Sequence, residues 1–536
     1  MVKLRSHPCS TSPLAPMVHE ESRQDVELIE KVAEDDCISS SAYSRGRNEE
    51  DSFSSAEGAK RMRTAIIASV VGNVLEWFDF GVFAFLAPQI GFLFFPKADK
   101  IAGLLNTFVV FAGGFVIRPL GGILLAHVGD VYGRKLALLL SVVGMAGSTF
   151  AMGCLPTYND IGAAAPVLLC LLRLVQGLSV GGELVGSMVF AVESMQPGRQ
   201  VLGGSFCLIG AIGGLTLGSA AGLVLHACFS EEELLRYAWR IPFWMGILIG
   251  LFAAWLRNGV EESSDFEELK KGDAQASLPV KEAFLHYPVE ILLCVLAVTL
   301  WCAGVWLTIA FPPILYQDLL DPPMSVRESM GATHAGGAEA SSGEGAVFQR
   351  KETSMWVLHT CLCAVQGVAI LAGGLVGDYL GSTRTVLIGA LASATLAIPC
   401  FKAMGAGRYV VSGLGQGVFN LALGFMGGSL PAWMVSIFPV QLRFSCIAVG
   451  YNAGQAIFGG TASIVGTMLF KSTGDTLAVG AYASCLALVS FFAVLVTARR
   501  ERRKETRQDA PGEGGGEGEC SQRQDTSCEG EEKVQV

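Results

Sequence analysis

The sequence predicts an all-α membrane protein with twelve transmembrane helices in two pseudo-symmetric halves of six. Three observations predict it. The chain of 536 residues is 51% hydrophobic and 16% charged, with a mean hydropathy of +0.47, whereas soluble domains carry about 25% charged residues. Apolar stretches near the bilayer-spanning length of about 20 residues recur along the chain. A glycine–aspartate loop also appears twice, its aspartates 248 positions apart at Asp130 and Asp378.

The expected spans are 64–95, 101–126, 134–155, 163–191, 202–228, 240–257, 287–316, 354–376, 384–402, 408–436, 442–470 and 476–498. They divide the chain into an N-terminal six-helix half, 64–257, and a C-terminal half, 287–498. A charged cytoplasmic linker, 258–286, joins them, and a Gly/Ala/Ser-rich extracytoplasmic loop, 317–353, interrupts the second half. Residues 1–63 are polar and acidic. Residues 499–536 open on the basic cluster Arg499, Arg500, Arg502, Arg503 and Lys504 and then turn Gly/Glu-rich. Both tails lack the apolar content to fold alone and are expected to be disordered. No apolar stretch lies near Met1, so no cleavable signal peptide is expected and the first span directs insertion.

Orientation follows from the Lys and Arg residues near the span ends. Lys60, Arg61, Arg63, Arg134, Lys135, Arg199, Arg257, Arg384 and Arg443 fall on one side together with the C-terminal basic cluster. Both termini are therefore expected in the cytoplasm, with the plasma membrane as the location. The fifteen cysteines are scattered, many of them within apolar spans, without metal-ligand spacing, so buried small hydrophobes are the expected reading. There is no nucleophile–base set and no nucleotide loop. An enzyme, a cofactor, a bound metal and a nucleic-acid partner are not expected. The expected partners are a small solute, a proton and the lipid bilayer, with the protein acting as a monomer.

The repeat supports two related halves. Gly129-Asp130-x-x-Gly133-Arg134-Lys135 follows the second span, and Gly377-Asp378-x-x-Gly381 with Arg384 follows the eighth. Glu193, Pro197 and Arg199 after span four match Ser436, Pro439 and Arg443 after span ten, with the prolines 242 positions apart. Parallel six-helix halves with a solute site near midplane are the major facilitator architecture. Charges clustered at such short cytoplasmic turns can pair across the halves and break when the protein flips. Asp130, Arg134, Lys135, Glu193, Asp378, Arg384 and Arg443 are thus the expected cytoplasmic gate. The alternative is that they only fix topology.

Charge is costly at bilayer depth and persists mainly where it handles ions or solutes. Glu76 lies about 18 Å into the first span at a rise of about 1.5 Å per residue, and Asp79 is one turn further on the same face. Arg118 and Arg173 fall at similar depth, with Glu183 nearer the cytoplasmic end. A buried carboxylate can pair with an arginine when ionised and release it to an anionic solute when protonated. Glu76, Asp79, Arg118, Arg173 and Glu183 are therefore the expected proton-coupling and charge-binding set. A permanent structural network is the competing reading. Spans seven to twelve carry only neutral polar groups at midplane, among them Gln366 and Gln416. From both halves, Asn73, Trp301, Trp306, Asn420, Tyr451, Asn452 and Gln455 are expected to contact the solute.

The chain resembles the metabolite:proton symporter family of the major facilitator superfamily, whose members include proline/betaine, α-ketoglutarate, citrate and shikimate transporters. The resemblance rests on Gly72-Asn73-Val74-Leu75-Glu76-Trp77-Phe78-Asp79-Phe80, Ile117-Arg118-Pro119-Leu120-Gly121-Gly122 and Gly129-Asp130-Val131-Tyr132-Gly133-Arg134-Lys135. It continues through Gln176-Gly177-Leu178-Ser179-Val180-Gly181-Gly182-Glu183, Trp239-Arg240-Ile241-Pro242-Phe243, Phe438-Pro439 and Gly450-Tyr451-Asn452. It implies a secondary transporter driven by a proton gradient, carrying a small organic acid or zwitterion by alternating access. Two departures stand out. Ser436 replaces the family's usual glutamate ahead of Phe438-Pro439, and the C-terminal tail shows no apolar heptads. A passive facilitator of the same solutes and a transporter-like nutrient receptor are the alternatives.

Overall fold

A computed structural model describes residues 56–96, 100–132, 134–258, 279–312, 315, 342–440 and 442–508. These residues form helices and short connections. α1 (Ala56–Phe85) and α2 (Ala87–Phe94) meet at a bend of 60°. Pro88 sits in the first turn of α2, where a missing N–H costs nothing, but it could not have continued α1. The expected first span is therefore a broken one. α3 (Lys100–Val116) and α4 (Arg118–Tyr132) also meet at a proline-enforced break, because Pro119 cannot donate to the carbonyl four residues back.

α5 (Arg134–Cys154) and the short α6 (Tyr158–Ile161) lead into α7 (Ala164–Val180) and α8 (Glu183–Glu193), which Gly181-Gly182 separates. Then come α9 (Gln200–Cys228), α10 (Glu231–Arg236) and α11 (Ile241–Asn258). After the linker stand α12 (Pro279–His286), α13 (Pro288–Ala297), α14 (Thr299–Ile309), α15 (Ser342–Leu380), α16 (Ser382–Met404) and α17 (Tyr409–Ser436). α18 (Arg443–Gly454) passes through a π-helical turn, Gln455–Gly459, into α19 (Gly460–Thr473), and α20 (Leu477–Gln508) ends the described chain. Among the described residues, nine helices are long and apolar enough to span a membrane, or ten with the bent pair. The expected third and sixth spans correspond to the shorter apolar helices Leu139–Cys154 and Ala238–Phe252.

Helix extends past several expected boundaries: α1 begins at Ala56, α12 lies in the linker, α15 begins at Ser342 and α20 continues to Gln508. The last extension has a local cause. Arg500 and Lys504, one turn apart, both reach Glu290 Oε1, at 3.5 and 3.2 Å.

α1 packs along α9, and α15 packs along α17. α9 also lies against α15 and α17, so it joins the earlier and later parts of the chain. Close approach of α15 to α17 depends on Gly428, where a Cβ would strike the Ile370 carbonyl and the Gly374 backbone.

Candidate functional site

The first acid of α1 finds its partner at the α3–α4 break. Arg118, the first residue of α4, places Nη1 3.1 Å from Glu76 Oε1, with side-chain exposures of 1% and 0%. Desolvating such a pair costs several kcal/mol per ion, and attraction alone offsets this only partly. Aromatic faces supply more. The Arg118 guanidinium carbon lies 4.3 Å from the Phe80 centroid, 4.7 Å from Phe115 and 5.7 Å from Trp77. Its Nε and Nη2 have no hydrogen-bond partner among the described residues, so this edge can still accept a carboxylate in bidentate fashion.

Asp79 takes different partners. Thr149 Oγ1 of α5 lies 2.8 Å from Asp79 Oδ2 and 3.0 Å from the Met145 carbonyl, so its one proton is shared between them. The Gln176 amide nitrogen donates to the same hydroxyl at 2.7 Å, and Arg173 Nη1 donates to Gln176 Oε1. An unbroken chain thus runs Arg173–Gln176–Thr149–Asp79 through α7, α5 and α1. The Arg173 guanidinium lies 4.2 Å from Phe80, 4.4 Å from Phe83 and 5.0 Å from Phe111. Its Nε and Nη2 also lack partners among the described residues. Glu183 accepts from Ser141 Oγ at 3.2 Å.

Trp77, whose ring lies 5.7 Å from the Arg118 guanidinium carbon, is also one wall of a small cavity of about 10 Å³, room for about one water. Its walls are mainly apolar and include Trp77, Leu208, Ile212, Trp301 and Cys302, with Gln455 as the polar member. Of the expected solute contacts, Trp301 and Gln455 line it, and the other five do not. Trp306 stacks on Trp77 at 6.0 Å and meets Phe111 edge-on at 4.7 Å. Asn73 donates to Ser187 at 2.9 Å, Asn420 to the Leu362 carbonyl at 2.8 Å and Asn452 to the Gly181 carbonyl at 2.7 Å. Tyr451 is buried, with the Trp301 side chain at its hydroxyl. Gln366 is also fully buried, with neither amide atom paired among the described residues.

Contacts join the helices at both ends of this interior. At the face where α1 begins, Arg443 Nη1 meets Glu193 Oε1 at 2.5 Å. There too, Asp378 Oδ1 accepts from the backbone N–H of Val201 and Leu202, at 2.8 and 3.2 Å. These are orphan donors in the first turn of α9, where a carboxylate is favoured. Arg384 is half-buried, with Nε and Nη2 unpaired among the described residues, and Asp378 is held by the helix end with Arg199 as the nearby base. Asp130, Arg134 and Lys135 have side chains outside the described residues. At the opposite face, Ser219 and Thr360 hydroxyls lie 2.8 Å apart, and Trp356 stacks on His226 at 5.2 Å.

The family description "Sugar (and other) transporter" matches residues 64–282. A putative proline/betaine transporter of Staphylococcus aureus is 30% identical over 438 residues, covering 81% of this chain and 88% of the relative. The proline/betaine transporter of Salmonella typhimurium is 30% identical over 444 residues, covering 80% and 82%. The chain belongs to the metabolite:proton symporter family of the major facilitator superfamily. A glycine betaine/proline/ectoine/pipecolic acid transporter of Dickeya dadantii is also 30% identical, over 421 residues, covering 77% of this chain and 78% of the relative. The fold agrees: the xylose transporter XylE from E. coli superposes with a TM-score of 0.62 at 15% identity, covering 82% of this chain and 97% of that one. A D-xylose–proton symporter gives 0.60 at 17% identity, covering 81% and 96%. The chain is thus a multi-pass secondary transporter and not an enzyme.

Sequence reasoning missed Thr149, the role of Gln176 in bridging Arg173 to it, and the aromatic faces of Phe80, Phe83, Phe111 and Phe115. A threonine in an apolar helix usually bonds its own backbone, so nothing marks Thr149. The phenylalanines carried a weak signal: Phe80 and Phe83, and Phe111 and Phe115, recur at helical spacing around the charged positions.

Proposed function

We propose that the protein is a proton-coupled symporter of a small zwitterion bearing one carboxylate, of the proline or betaine kind. In this reading the solute's carboxylate takes the free edge of Arg118. Its cationic, partly apolar end lies against the Trp77 and Trp301 indoles, because aromatic faces attract desolvated cations. Glu76 and Asp79 carry the exchangeable charge, and the halves 64–257 and 287–498 rock about the site with both termini in the cytoplasm of a plasma-membrane monomer. The observation that carries the reading is the fully buried Glu76–Arg118 pair with its unsaturated guanidinium edge, 5.7 Å from the Trp77 ring that, with Trp301, walls a small cavity. A cavity sized for one water admits a solute only when one face opens, which is alternating access.

The test is uptake into proteoliposomes of labelled proline, glycine betaine, α-ketoglutarate and citrate, with and without an inside-alkaline pH gradient. Proline or betaine should accumulate with the gradient. Uptake indifferent to the gradient would make the protein a facilitator, the reading that Ser436 favours because its hydroxyl, which donates to the Trp433 carbonyl at 2.8 Å, carries no exchangeable charge. Preference for α-ketoglutarate or citrate would move the solute class to multivalent acids, with Arg173 as second cation. Glu76→Gln should abolish gradient-driven accumulation and spare solute exchange. Glu76→Asp, which keeps the charge, controls for the roughly 3–5 kcal/mol cost of leaving Arg118 unpaired.

A further inference from the structure

Phe80 follows Asp79 by one residue and Glu76 by four, and its ring is fully buried. Both guanidinium groups lie against it, Arg118 at 4.3 Å and Arg173 at 4.2 Å from its centroid. Their remaining rings are separate: Phe115 and Trp77 serve Arg118, while Phe83 and Phe111 serve Arg173. Phe80 is the ring they share. Arg118 holds Glu76, and Arg173 leads through Gln176 and Thr149 to Asp79. One aromatic ring therefore touches both acid–base sets.

An aromatic face attracts a cation, more strongly where water is excluded. Two cations drawn to one ring also repel each other in a medium that screens weakly. Each guanidinium's hold on the ring then depends on how completely the other is neutralised by its own carboxylate. When Asp79 loses its charge, Arg173 becomes the stronger competitor for Phe80, and Arg118 shifts in how it presents its free Nε–Nη2 edge.

We propose that Phe80 is a positioning residue that links the two sets, so that a charge change at Asp79 alters carboxylate binding at Arg118. The proposal rests on the transport reading above for its purpose, but its physical content is a coupling between two sites, which can be read without a solute. Thermal unfolding of the purified protein is measured for Glu76→Gln, Asp79→Asn and the double variant, in three backgrounds: Phe80, Phe80→Leu and 3,4,5-trifluorophenylalanine at position 80. The fluorinated ring keeps the shape and removes the face potential, so it separates electrostatics from packing.

The two substitutions should be non-additive with Phe80 present, and the non-additivity should fall to about half or less in both altered backgrounds. Phe80→Tyr, which keeps a π face, should restore it. Equal non-additivity with the native and the fluorinated ring would overturn the proposal and leave Phe80 as packing. Where a solute is exchanged, the same variants should show in counterflow that Asp79→Asn changes the KM less once the ring is fluorinated. Uptake indifferent to a pH gradient would remove proton symport and leave the unfolding cycle intact, so the two failures are distinguishable.

Discussion

Thr149 Oγ1 lies within hydrogen-bond reach of an Asp79 carboxylate oxygen and accepts from the Gln176 amide. Its single hydroxyl therefore joins an acid on α1 to an arginine on α7. Thr149→Val keeps the branched shape and removes the bridge. A hydrogen bond to a charged group is worth about 1.5–3 kcal/mol, so gradient-driven accumulation should fall roughly tenfold or more. Uptake measured beside the unfolding temperature checks this, and unchanged accumulation would remove Thr149 from the relay. At this scale the sequence was partly legible. Glu76, Asp79, Arg118 and Arg173 stood out because charge in an apolar run has few reasons to persist. Which acid meets which arginine did not, because Glu76 and Asp79 share a helix face and helix crossing decides their partners. Nor did the buried ties of Asn73, Asn420 and Asn452, since an asparagine's choice between a solute and a neighbouring helix is made by tertiary contact.

At the scale of helices, the breaks matter more than the runs. Pro119 places Arg118 at a helix start, Gly181-Gly182 splits α7 from α8 beside it, and a π turn follows Tyr451 and Asn452. The prolines and glycines were visible in the sequence; the π turn was not, because no residue type demands one. Close helix crossings are equally local in cause. Gly428→Val would drive methyl groups into the Ile370 carbonyl and the Gly374 backbone across the α15–α17 contact. Overpacking costs about 1–3 kcal/mol even where side chains can adjust, and here the obstacle is backbone. The variant should show a clearly lowered unfolding temperature in detergent, whereas Gly407→Ala, whose added Cβ meets no atom but sits at positive φ, should cost less.

Two exposed connections outside the spans give a pH signature. Hydrogen bonds from the Thr157 backbone and hydroxyl hold Asp160 below its ordinary value of 3.8. Those from the Ser230 backbone and hydroxyl do the same for Glu233, below 4.5. A carboxylate whose pKa is depressed by folding contributes stability above its unfolded value and loses it as the pH falls through the folded one. Protection against hydrogen exchange at residues 157–161 and 230–236, relative to the intrinsic rate at each pH, should therefore be constant near neutrality and fall only as the pH drops below the ordinary carboxylate values. Protection lost already at pH 6 would mean another group controls these caps.

For the whole molecule, the contacts at the two faces set the barrier that a transport cycle must cross. The face where α1 begins is held by charge, through Glu193–Arg443 and Asp378 on the α9 N-terminus; the opposite face is held by hydroxyls and stacked rings. This asymmetry predicts opposite responses. The Glu193–Arg443 pair is half-exposed on the acid side, at 37%, and buried on the base side, at 5%, so its worth lies between the surface and buried limits, about 1–2 kcal/mol. Glu193→Gln should then shift the population toward the state open at that face by roughly tenfold. Cys207 and Cys446 are buried near it, and their maleimide labelling, followed by peptide mass spectrometry, should quicken by a similar factor. Ser219→Ala with Thr360→Val loosens the other face and should slow the same labelling. A rise with both sets of substitutions would indicate general loosening of the fold; no change with Glu193→Gln would mean the Asp378 cap alone keeps that face shut.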